Sequence, residues 1–73
     1  MYKVLGHAKC KFCKEAIVLL ASKGREFVYL DAKRPSSESI VSQLKKDGFT
    51  SVPQIWFEDN HVGGYSELVK RLN

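Results

Sequence analysis

Val4-Leu5-Gly6-His7-Ala8-Lys9-Cys10-Lys11-Phe12-Cys13-Lys14-Glu15-Ala16 passes from a short apolar run, through two cysteines, into a helical pattern. Tyr2 to Gly6 reads as a strand. From Lys11 to Lys23, the apolar residues Cys13, Ala16, Ile17 and Leu20 recur at three- and four-residue spacing and predict a helix with one buried stripe. Gly24 supplies its stop. Cys10 therefore falls at or just before a helix N-terminus, where unpaired N–H groups and the positive end of the helix dipole favour a thiolate. Lys9, Lys11 and Lys14 add Coulomb attraction in the same direction. Cys13 lies on the buried stripe and is expected to be less acidic. The spacing assigns Cys10 to attack and Cys13 to resolve the mixed disulfide that forms.

Outward from this motif the order continues with strand, helix, strand, strand and helix. Glu26 to Asp31 is rich in Phe, Val and Tyr and predicts the second strand. Ser36 is the candidate N-cap of the next helix, with Glu38 in its first turn, Ile40, Val41 and Leu44 on its apolar face, and Gly48 at its end. Gln54 to Glu58 predicts a third strand, Asp59-Asn60 a two-residue turn, and His61 to Gly63 a fourth strand. A last helix is expected from about Ser66 to Leu72. The first two strands, joined by a helix, should run parallel, and the last two should form a hairpin. The economical arrangement is α/β: a mixed four-stranded sheet flanked by three helices, in the order βαβαββα, forming a single domain over residues 1–73.

Composition narrows the function classes. Of 73 residues, 44% are hydrophobic and eight are aromatic, enough for one core. A chain this short buries only ~60% of the surface its unfolded form exposes. A bridge between two cysteines three positions apart would restrain the unfolded chain little, so a structural staple is a weak reading. The longest apolar stretch, Ala16 to Ala21, is far below the ~20 residues of a membrane span, and no secretion signal is visible. A soluble, cytoplasmic, monomeric protein is expected, with no membrane partner. The net charge of +4 reads as a solvated surface, and no nucleic-acid partner is expected.

A metal site is the competing reading of the motif. His7-x-x-Cys10-x-x-Cys13 has ligand-like spacing, and His61 is available as a fourth group. Structural zinc usually draws its four ligands as two local pairs, and a lone hairpin histidine makes a poor second half. The expectation is no metal.

Three segments together resemble the glutaredoxin family. They are Cys10-Lys11-Phe12-Cys13 after the first strand, Ser51-Val52-Pro53-Gln54-Ile55 before the third, and Gly63-Gly64-Tyr65-Ser66-Glu67-Leu68 before the last helix. Their order and spacing match the family across essentially the whole chain. The resemblance implies a thioredoxin-like fold and a thiol–disulfide oxidoreductase that reduces protein disulfides and glutathione mixed disulfides. It implies a cis peptide bond at Pro53, placing the Val52 main chain beside the active sulfur. It also implies that Lys9, Lys11, Phe12, Val52, Pro53, Gly64, Tyr65, Ser66 and Glu67 contact glutathione. Ser66 would take the γ-glutamyl carboxylate and Glu67 the ammonium. No cofactor is expected to be tightly bound; glutathione is the co-substrate. The sequence departs from the family's Cys-Pro-Tyr-Cys by Lys11 and Phe12, and has His7 where a Lys or Arg is common. Some very small glutaredoxin-like proteins are instead dithiol donors recycled by thioredoxin reductase, for example to ribonucleotide reductase. A further alternative is a module that binds metal or an iron–sulfur cluster.

Overall fold

The computed structural model describes residues 1–73. The elements are β1 (Tyr2–Gly6), α1 (Lys11–Ser22), β2 (Phe27–Asp31), a 3₁₀ turn (Pro35–Ser37), α2 (Glu38–Lys46), β3 (Gln54–Phe57), β4 (Asn60–Gly63) and α3 (Tyr65–Leu72). The sheet order is β2-β1-β3-β4. β1 pairs parallel with β2 and antiparallel with β3, and β3 pairs antiparallel with β4. This is the expected mixed four-stranded sheet with three helices.

Strand alternation divides the core. Tyr2, Val4 and Ile55 are buried on one face, against Ala16 and Leu20 of α1 and Leu68 of α3. Each strand position shows its side chain to one face only, so the neighbours Lys3 and Trp56 belong to the other side. The Tyr2 hydroxyl, the polar tip of a buried ring, accepts from Arg71 Nε at 3.0 Å. The Arg71 guanidinium also lies 4.8 Å from the centre of the Phe57 ring, holding the end of α3 on the sheet. Gly24, at φ +68°, closes α1, its N–H bonding Ala21 O at 3.1 Å while Arg25 N bonds Leu20 O at 2.9 Å.

Two local expectations are corrected. Ser36 does not cap α2. Pro35 starts a 3₁₀ turn, and α2 follows from Ser37, whose hydroxyl donates to Asp31 O at 2.7 Å. That bond satisfies a carbonyl at the end of β2, a distant demand that the local capping pattern does not contain. The hairpin turn is Glu58-Asp59 rather than Asp59-Asn60, because Asn60 pairs with Phe57 as the first residue of β4. Glu58 takes the positive φ of 54°, and its N–H bonds Met1 O at 3.2 Å. Pairing with the preceding strand thus sets the turn one residue earlier. A register shift between Ile55 and Trp56 takes up the difference along the hairpin.

Candidate functional site

The site is built where two helices begin. Cys10 is the N-cap of α1, in extended backbone conformation at φ −97° and ψ 114°. Its Sγ accepts the Cys13 N–H at 3.1 Å, a place usually taken by a Ser, Thr or Asp oxygen. No acidic residue stands in the first turn of α1, and Lys9, Lys11 and Lys14 are all exposed around it. Cys13 is one helical turn further in and only 1% exposed, whereas Cys10 is half-buried. The two are joined as a disulfide, their Cα atoms 5.2 Å apart.

Across from Cys10 runs the segment before β3. The Val52–Pro53 peptide bond is cis, in line with the resemblance. The Val52 carbonyl oxygen lies 3.7 Å from Cys10 Sγ. Val52 is half-buried, while Pro53 is buried at the root of the strand.

The third wall is the start of α3. A cleft of about 320 Å³ is lined by Phe12, Ser51, Val52, Pro53, Gly64, Tyr65, Ser66 and Glu67. The rings of Phe12 and Tyr65 face each other at 5.5 Å between centroids and bridge the first turns of α1 and α3. Gly64 caps α3 without a side chain, and the Glu67 carboxylate reaches back to do that work. Oε1 accepts the Gly64 N–H at 2.8 Å, and Oε2 accepts the Ser66 hydroxyl at 3.0 Å. The Gly64 N–H, helped by the Ser66 hydroxyl, holds the Glu67 carboxyl below its ordinary range. This fold-back needs Gly63, at φ +125°, where a Cβ would come within 2.8 Å of Glu67 Cγ.

Seven of the nine residues read from sequence as ligand contacts thus share one cleft with the disulfide at its edge. Lys9 and Lys11 do not line it; their exposed side chains lie outside, in the charged surroundings of Cys10. Ser66, expected to offer its hydroxyl to a carboxylate, donates it to Glu67. Its backbone N–H, at the second position of α3, is left without an intrahelical acceptor. The alternative zinc set does not assemble, for no three His, Cys, Asp or Glu side chains come together as a metal cage. His61 instead bonds Gln54 Oε1 at 2.8 Å and packs edge-on against Phe49 at 4.7 Å. His7 Nδ1 is shielded from solvent with no hydrogen-bond partner. No helix is long and apolar enough to cross a membrane.

Residues 1–62 match the family described as Glutaredoxin. Glutaredoxin of Pseudomonas aeruginosa is 40% identical over 63 residues, covering 84% of this chain and 71% of its own length. Glutaredoxin 3 of Escherichia coli is 38% identical over 61 residues, covering 81% of this chain and 70% of its own length. The crystal structure of a buckwheat glutaredoxin–glutathione complex superposes with a TM-score of 0.82 at 18% identity, over 96% of this chain and 66% of the other. With the cysteine pair at the start of α1, the cis proline opposite it and the matched sequence around both, the chain belongs to the glutaredoxin family of thioredoxin-like thiol–disulfide oxidoreductases, its redox-active pair being Cys10 and Cys13.

Proposed function

We propose that the protein reduces protein disulfides and glutathione mixed disulfides through Cys10 and Cys13, with glutathione as its reductant. The observation that carries this reading is that one cleft is shared by Val52 and the start of α3, with the Cys10 sulfur 3.7 Å from the Val52 carbonyl oxygen. In the reduced protein, Cys10 is the attacking thiolate, favoured by the Cys13 N–H and by the three lysines. It attacks a substrate disulfide, and one substrate sulfur leaves as thiolate. Cys13 then attacks Cys10 Sγ, the second substrate sulfur leaves, and the internal disulfide forms. Glutathione reverses this: its thiolate opens the disulfide at Cys10, and a second glutathione frees Cys10.

Recognition follows from charge and shape. Glutathione carries two carboxylates and one ammonium. The Val52 main chain offers strand-like pairing to its peptide. The free N–H groups at the start of α3 suit the γ-glutamyl carboxylate. An ionised carboxylate has about four lone-pair positions. Gly64 and Ser66 occupy two on Glu67, and the others remain for the ammonium. The Phe12 and Tyr65 rings flank the bound tripeptide, and the lysine rim draws the net anion in.

A second reading has its own observation. In the free chain the Gly64 N–H and the Ser66 hydroxyl are already satisfied by Glu67. A small acidic ligand must compete with that carboxylate, which favours a dithiol donor recycled directly by thioredoxin reductase and passing electrons to a protein such as ribonucleotide reductase. The deciding experiment compares turnover of a disulfide substrate with glutathione plus glutathione reductase against turnover with thioredoxin reductase. Fast turnover in the first and none in the second is expected; the reverse establishes the direct donor. Either action fits a monomer in the cytoplasm.

A further inference from the structure

The first step of recycling leaves a problem at Cys13. When a thiol opens the disulfide at Cys10, the electron pair of the broken bond goes to Cys13 Sγ. That sulfur belongs to a residue only 1% exposed. The free N–H groups of the α1 start serve Cys10, with Cys13's own N–H bonded to Cys10 Sγ at 3.1 Å. A thiolate formed out of reach of water needs a donor, since a buried unpaired charge is costly.

The structure holds one beside it. Gly6, the last residue of β1, is buried against α1. A Cβ at Gly6 would lie 2.6 Å from Cys13 Sγ and 3.3 Å from the Tyr29 hydroxyl oxygen. Sulfur and phenol oxygen therefore both border the space that Gly6 leaves vacant, at most about 6 Å apart and not hydrogen-bonded while the disulfide is closed. Tyr29 comes from the edge strand β2, paired in register with Val4, whose side chain is in the core under α1. Its hydroxyl has no hydrogen-bond partner elsewhere in the protein. Tyr29 as a residue is 40% exposed, while its hydroxyl oxygen borders the buried Gly6 next to Cys13.

We propose that the Tyr29 hydroxyl donates a hydrogen bond to the Cys13 sulfur when the disulfide is open, stabilising the thiolate that leaves in recycling and the same thiolate when it attacks. Burial, with the Asp31 carboxylate nearby, pushes the Tyr29 phenol up, so it keeps its proton and acts as a donor. The step balances. The reductant thiolate forms a bond to Cys10 Sγ, the Cys10–Cys13 bond breaks, and Cys13 takes the electron pair. Tyr29 O–H then holds the charge until a solvent proton neutralises it. A second reductant thiolate releases Cys10, leaving an oxidised reductant and a reduced protein. The missing side chain at Gly6 is what lets the sulfur and the phenol approach each other.

The proposal deepens the dithiol mechanism, and dithiothreitol tests it, because that reductant has neither the γ-glutamyl nor the glycine end of glutathione. Oxidised wild type and Tyr29→Phe are mixed with dithiothreitol, quenched with acid, and their free thiols counted by alkylation and mass. Tyr29→Phe should open about three- to tenfold more slowly, the effect of one hydrogen bond. The reference is the attack of Cys10 on a small aromatic disulfide in a Cys13→Ser background, a reaction that never uses the Cys13 sulfur. There the Tyr29→Phe change should alter the rate by less than about twofold, so that slowing confined to the opening reaction isolates the role of Tyr29 at the Cys13 sulfur. Unchanged opening in Tyr29→Phe overturns the proposal. Equal slowing in both reactions also overturns it, showing that Tyr29 supports the fold. Neither outcome depends on whether glutathione turns the wild type over.

Discussion

Two helix starts face each other across the cleft, and they solve the same problem in opposite ways. Each presents unpaired N–H groups and a partial positive charge. At α1 the cap is the sulfur of Cys10, with no acidic side chain in the first turn and three lysines around it. The positive end is left for the group that reacts. At α3 the cap is Gly64, and the Glu67 carboxylate folds back onto its N–H, tied also to the Ser66 hydroxyl. That end carries its own anion. A helix start becomes reactive when its capping atom is itself the nucleophile. It becomes a recognition surface when a tethered carboxylate satisfies part of it and leaves the rest for a ligand.

The sharpest way to break this contrast is to exchange sulfur for oxygen at α1. Cys10→Ser keeps a capping side chain, so the fold should survive, but reduction of protein disulfides and removal of glutathione should both fall to background. Cys13→Ser should lose protein-disulfide reduction and keep deglutathionylation, since a second glutathione can resolve the intermediate. Coupled assays with the two substrates check this. Full deglutathionylation by Cys10→Ser would mean that the reactive group is not the cap.

The next largest effect is expected at α3 and on stability rather than chemistry. Gly63→Ala puts a Cβ 2.8 Å from Glu67 Cγ at a backbone φ of +125°. Strain and crowding together should cost about 1–3 kcal/mol. Denaturant unfolding would show it, with Cys10 alkylation unaltered if the two helix starts are independent. Slowed alkylation would mean that they are coupled.

The smallest effect separates recognition from capping. Glu67→Gln keeps the shape and removes the charge, and should raise the glutathione KM about threefold to tenfold while leaving reduction by dithiothreitol unchanged. Equal losses with both reductants would reduce Glu67 to a structural cap. Acid gives a second view. The Glu67 carboxyl is depressed in the folded protein, so its contribution to stability is present above the ordinary carboxylate value of about 4.3 and lost as pH falls through the depressed one. In Glu67→Gln that part of the acid dependence should vanish from thermal unfolding curves measured below pH 5.

Much of the site was legible in the chain because its signals are local. A cysteine one residue before a helix, its partner one turn on, and a proline opening a strand are patterns of neighbouring residues. The same holds for Gly63-Gly64 ahead of α3. The errors have one character. Ser36 carries every local sign of an N-cap, but Ser37 takes the role because its hydroxyl is drawn to Asp31 O, six residues back. Asp59-Asn60 is a good turn pair, but β1–β3 pairing and the pairing of Asn60, the first residue of β4, with Phe57 set the turn one residue earlier.

What the sequence determined by itself was the element order, the helix that begins at the cysteines, and the family resemblance with its three segments in register. Periodicity, turn residues and motif spacing act within a few positions, so they are readable without a fold. The family resemblance, not any local pattern, implied the approach of Val52 to a sulfur 42 positions earlier, and the tertiary structure alone decided the strand order β2-β1-β3-β4 and the placing of Tyr29 and Cys13 on either side of the gap at Gly6. Those depend on which strands pair and which faces pack. A residue chooses such partners through the burial of the whole core, and no local pattern encodes them.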